Sequence, residues 1–144
     1  PEMIDCLDPN VAARVKAADD MPAWDYVRRR TILDSLYQSA AARMADVDAV
    51  LTPTVAITPP TLASLQPEGA YPKANMHALR NTVIANFLGL CALTLPVGKD
   101  AVGMPVGLQV LAGPWQDAKL LAIGQAIENE LGTGLEILGQ PPVV

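Results

Sequence analysis

A mixed α/β fold is predicted by three features of the sequence. Two long stretches carry apolar residues at helical spacing, three short apolar runs end at Pro or Gly, and helical and extended patterns alternate along the chain. Of the 144 residues, 51% are hydrophobic and 17% charged, which supplies one packed core and argues against a disordered tail.

The first element is a short amphipathic helix over residues 9–19, with Val11 and Val15 four apart behind Pro9. A second helix runs from Pro22 to about Ala45, its start marked by Pro22 and by Asp20 and Asp25 at the positive end of the dipole. Tyr26, Leu33, Tyr37, Ala40 and Met44 form one stripe along it, predicted to pack on a core. Arg28, Arg29 and Arg30 point about 100° apart from one to the next, so they read as solvated or ion-paired. Ala49–Thr52, stopped by Pro53, reads as a buried strand.

From Pro53 to Pro72 the prolines at 53, 59, 60, 67 and 72, with Gly69, predict a long loop. Such loops border binding sites or wander over the surface. A third helix is predicted over Lys73–Leu88, buried on several sides by Met76, Val83 and Phe87 on one line and Ile84 and Leu88 on another. Arg80 falls among the first three, which aims a permanent charge at an apolar face. It either snorkels and ties down a helix end, or anchors the polar end of a substrate.

Ala92–Leu95 before Pro96 and Val106–Leu111 before Gly113 and Pro114 read as two strands joined by a turn containing Gly98 and Gly103. The last helix starts with Asp117 as N-cap, carries Leu120, Ile123, Gly124, Ile127 and Leu131 on one face, and closes at Gly132 and Gly134. The chain is thus read as a helical region at 9–46, a strand and Pro-rich loop at 47–72, and a helix, two strands and a final helix at 73–144. The strands Ala49–Thr52 and Ala92–Leu95 look buried on both faces, with too few helices to cover them.

Fifteen Asp and Glu against ten Lys and Arg leave a net charge of -5 and no basic stripe, so no nucleic-acid partner is expected. Thr82–Leu95, the longest mostly apolar stretch, contains Asn86 and is shorter than the roughly 20 residues of a bilayer span, so no membrane partner is expected. Cys6 and Cys91 lie far apart in the sequence, which favours reduced thiols and a cytoplasmic setting. His77 is the single histidine and neither cysteine has a ligand neighbour, so neither metal nor cofactor is expected. Ser35, Ser39 and Ser64 lack an activating base and a Gly-rich turn, and Cys91 reads as packing, so no catalytic residue is assigned within the chain. The sequence opens at Pro1 without Met, from which a removed start, leader or upstream domain is expected.

Three segments resemble the carboxy-terminal portion of amidase signature enzymes: Asn86 to Gly98 with its Asn-x-x-Gly spacing at Asn86 and Gly89, the Gly-x-Pro-Val-Gly-x-Gln string from Gly103 to Gln109, and Asp117 to Glu128. Asp48 to Thr54 is similar to the family's strand-and-loop segment, and the likeness covers nearly the whole chain. The resemblance implies the end of an α/β/α fold with a mixed sheet. It also implies an enzyme that hydrolyses or transfers amide groups through a serine nucleophile, a second serine in a cis peptide and a lysine base. The Gly/Ser-rich signature is missing: no two glycines are adjacent and no Ser-Ser pair occurs, so those catalytic residues would precede Pro1.

In the family this segment completes the sheet and lines one side of the acyl pocket, which implies substrate-facing roles for Thr54, Leu79, Arg80, Thr82 and Asn86. Leu79 departs from the amidotransferase members, which carry an acidic residue there; an apolar side chain cannot pair with a substrate ammonium, so a neutral or acidic amide is favoured. Cys91 replaces a commoner proline and reads as packing. The expected partners are a small-molecule amide and the upstream catalytic part of the same protein, with self-association as a further way to cover exposed strands. The rival reading is a stand-alone, non-catalytic small-molecule binding or oligomerisation module.

Overall fold

A computed structural model describes residues 3–140. The chain divides into two compact units, Pro1–Ser35 and Leu36–Val144. In the first, helix α1 (Pro9–Lys16) opens on Asp8, whose carboxylate accepts the Asn10 N–H at 2.9 Å. Helix α2 (Ala23–Met44) begins in this unit. The consecutive arginines near its start are ion-paired, one of the two outcomes expected from sequence: Arg28 and Arg29 share Asp25 at 3.1 and 2.8 Å, and Arg30 meets Asp34 at 3.5 Å. Burial along the predicted stripe grows toward the end of α2, from an exposed Tyr26 through a half-buried Tyr37 to a buried Met44.

The second unit is built on a three-stranded sheet in the order β1 (Val50–Pro53), β3 (Pro105–Ala112), β2 (Cys91–Lys99), with antiparallel neighbours. Leu93 stands opposite Val110 and Cys91 opposite Ala112. On this face Val110, Ala112 and Leu120 form the core, flanked by Leu95, Ile123 and Ile127. Leu120, Ile123 and Ile127 come from α5 (Asp117–Leu131), whose stripe falls where the sequence put it. Full burial of Leu120 contributes about 1.5–3 kcal/mol, and the partly buried Ile123 and Ile127 contribute less. Gly124 lets α5 press on the sheet, because a Cβ there would lie 2.8 Å from Leu93 Cδ2.

Several expectations are corrected. The strand at 49–52 exists, but Val50 and Leu51 are exposed, because β1 lies at the sheet edge while the helices pack on β2 and β3. β2 continues through Pro96 to Lys99, which is allowed because an edge strand does not need every N–H; its register shifts between Pro96 and Gly98. The helix predicted over 73–88 is two, α3 (Ala70–Leu79) and α4 (Thr82–Leu88). The break has a local cause: the Thr82 hydroxyl donates to the Leu79 carbonyl at 3.3 Å, competing with the backbone ladder. Burial on several sides is not seen, since Met76, Ile84 and Phe87 are exposed and Ala85 alone in α4 is buried. Asp117 is the first residue of α5, not its cap, and Thr133 starts a further helix, α6 (Gly134–Leu138), through reciprocal bonds with Glu136.

Candidate functional site

β1 ends at Pro53, and Thr54 continues beside the central strand, its N–H donating to the Gly107 carbonyl at 2.8 Å. Thr94, on β2, reaches over the same strand from the other side. The two hydroxyls meet at 2.5 Å. They can do so because position 107 has no side chain: a Cβ there would lie 2.7 Å from the Thr54 hydroxyl and 2.8 Å from that of Thr94. Thr52, Gln109 and Thr94 are in register across the three strands, and Thr52 Oγ1 lies 3.4 Å from Gln109 Oε1. The sheet therefore has an apolar face against α5 and an opposite face bearing neutral polar groups.

The hydroxyl pair opens into a cleft of about 360 Å³ between residues 54–59 and the β2–β3 hairpin, with Asp100 on its wall. Asp100 holds both sides together. Its Oδ1 accepts the N–H groups of Val102 and Met104, each at 2.9 Å, and its Oδ2 accepts the Thr58 hydroxyl at 2.9 Å. The Met104 N–H foremost holds its carboxyl below the usual carboxylate range; desolvation opposes it next in size, and the Thr58 hydroxyl and the Val102 N–H add to the lowering. Asp100 is thus a fixed negative charge that clasps the Pro-rich loop to the hairpin.

The residues singled out from sequence occupy different places. Thr54 lines this cleft. Leu79, Arg80 and Thr82 form the junction of α3 and α4, which Asn81 ties to the end of β1 by donating its side-chain N–H to the Pro53 carbonyl at 2.7 Å. Arg80 is exposed and makes no ion pair with a described residue, so the expectation of a charge aimed at an apolar face fails. That expectation assumed one continuous helix. Asn86 lies elsewhere, on a second cleft of about 580 Å³ lined also by Tyr37, Gly89, Cys91 and Trp115.

Sequence reasoning missed Asn81, Thr94 and Asp100. The Thr94 to Gly107 spacing carries no local signal, because the contact exists only across the sheet; Asp100 before Gly103 was a legible turn residue. It also missed Trp115, whose φ of 61° is a costly conformation for a bulky side chain. Among the described residues, no serine meets a base: Ser64 donates to the Thr61 carbonyl at 2.7 Å, and Ser35 and Ser39 are exposed on α2. No described group of three or more His, Cys, Asp or Glu converges as metal ligands would, and no described helix is long and apolar enough to cross a membrane.

Comparison with known proteins adds to this geometry. The family model Amidase matches residues 8–121. A 2-amino-5-chloromuconic acid deaminase of Comamonas testosteroni is 45% identical over 141 residues, which cover 98% of this chain and 30% of that protein. A fatty acid amide hydrolase of Oryza sativa subsp. indica is 36% identical over 107 residues, 73% of this chain and 18% of the relative. The crystal structure of an amidase matches with a TM-score of 0.76 and 28% identity over 91% of this chain and 30% of that one. The chain thus spans 30% or less of the length of these relatives.

Proposed function

Because the chain belongs to the amidase family, we propose that it is the carboxy-terminal portion of a C–N hydrolase, supplying core strands and one wall of the substrate pocket. The observation that carries this reading is a family match over residues 8–121 in a chain whose described serines meet no base. The nucleophile and its base then belong to the rest of the protein. In the reaction proposed, a serine oxygen adds to the substrate carbonyl carbon and the C–N bond breaks. The nitrogen leaves with a proton from the base, and water hydrolyses the acyl ester to free the serine.

Thr54 and the Leu79, Arg80 and Thr82 junction form one part of the wall, and Asn86 another. Leu79 offers no charge for an ammonium, which supports a neutral or acidic substrate; the deaminase relative acts, by its name, on an acid. Two free thiols, Cys6 and Cys91, fit a reducing, cytoplasmic setting.

The test compares the full-length gene product with residues 1–144 alone. Ammonia release from a panel of carboxamides, and labelling by a serine-directed fluorophosphonate, are expected for the former and not the latter. Turnover or labelling by residues 1–144 alone refutes the assignment of the nucleophile. A full-length product that binds carboxamides and hydrolyses none supports the rival binding module.

A further inference from the structure

Between the β2–β3 hairpin and α6 runs a groove of about 600 Å³, lined by Lys99, Met104, Pro105, Leu135, Leu138 and Gln140 together with three glycines. It shares Pro105 and no other residue with the cleft at Thr54. Both of its walls are fixed by hydrogen bonds made within them. On the hairpin, the Asp100 N–H donates to the Met104 carbonyl at 2.8 Å, and the Asp100 carboxylate accepts the Val102 and Met104 N–H groups. On the other wall, α6 is started by the reciprocal bonds of Thr133 and Glu136, and its first residue sits against β2: a Cβ on Gly134 would lie 3.2 Å from Pro96 Cγ. The groove is therefore formed before anything enters it, and its size is that of small-molecule sites, about 300–1,000 Å³.

Its side chains are aliphatic apart from Lys99 and Gln140. Lys99 is exposed and makes no ion pair with a described residue. The acids next to the groove in sequence are engaged elsewhere, Asp100 by the hairpin N–H groups and Thr58, and Glu136 by Thr133. Met104 and Leu135 stand exposed. Aliphatic walls beside one ammonium complement a molecule with the matching pair of features, a hydrocarbon chain and a single negative charge.

We propose that this groove binds a medium-chain aliphatic carboxylate, its hydrocarbon chain against Met104, Pro105, Leu135 and Leu138 and its carboxylate on the Lys99 ammonium. It is an accessory site, separate from the substrate pocket, and it does not rest on the hydrolase reading.

The test is isothermal titration calorimetry on the full-length gene product with hexanoate, octanoate and the uncharged 1-octanol. Native protein is expected to bind octanoate more tightly than 1-octanol, and about tenfold more tightly than hexanoate, because two further methylenes are buried. K99M is expected to weaken octanoate binding about two- to fivefold and to leave 1-octanol unchanged, which also shows that the variant is folded. K99R keeps the charge and is expected to bind octanoate as native does. L135S, at an exposed position, is expected to weaken both octyl probes alike.

Octanoate binding that ignores both K99M and L135S places the ligand elsewhere and overturns the proposal. Equal affinity for octanoate and 1-octanol in native protein overturns it as well. So does the absence of binding by either probe, which would give the groove to another part of the protein. Amide turnover is expected to be the same in native, K99M and L135S protein; a raised KM in either variant would make the groove part of the substrate pocket and overturn the accessory site.

Discussion

Asp100 accepts from two backbone N–H groups of its own turn and from Thr58, forty-two positions back in sequence. A single carboxylate therefore sets both the hairpin and the position of the loop that borders the cleft. Its folded pKa lies below its unfolded value, so the native state binds fewer protons there than the unfolded chain. The stability this contributes is present above the unfolded pKa, near 4, and is lost as pH falls through the lower folded pKa. Native protein is expected to lose stability across that acidic window, and D100N to lose less over the same range, as measured by urea unfolding at a series of pH values. Equal slopes for both proteins would show that the clasp carries no such linkage. Residue by residue, Thr54 was legible as a loop residue next to a strand, whereas Thr94 was not, because a threonine in a strand says nothing about what lies across the sheet.

Helix α4 ends at Gly89, whose φ of 61° is left-handed and whose amide donates to the Ala85 carbonyl. The α-hydrogen of Gly89 faces Tyr37 of α2, where a Cβ would collide with the ring's Cε2 atom. One glycine thus stops a helix and seats an aromatic ring beside the cleft that holds Asn86. Gly89→Ala combines the left-handed penalty with this collision and is expected to cost about 2 kcal/mol or more, read as a lower melting temperature. An unchanged melting temperature would refute the close packing of α2 on this turn. The elements with strong periodicity, α2 and α5, came through from sequence as helices, but the stripe on each is exposed at one end, at Tyr26 of α2 and at Leu131 of α5. The 73–88 segment did not, because the Thr82 hydroxyl competes for the Leu79 carbonyl and Asn81 is tied to Pro53 at the end of β1, neither of which apolar spacing records.

Across the whole molecule the fully packed core is small, and large apolar side chains such as Trp24, Leu51, Met76 and Phe87 stay exposed. Exposed apolar surface on this scale is normally covered by something. Residues 1–144 expressed alone are expected to self-associate at tens of micromolar, as seen by sedimentation velocity, and to bind a hydrophobic dye more than the full-length gene product does. A monodisperse monomer without dye binding would show that these side chains need no cover. What the sequence determined by itself was the α/β order of elements, the apolar stripes and the family, since each of these resides in local spacing and composition. What only the tertiary structure decided was the antiparallel order β1-β3-β2, the exposure of β1 and Arg80, and the meeting of Thr54 with Thr94 over Gly107. Those depend on which strands become neighbours, a long-range choice that no window of the chain contains.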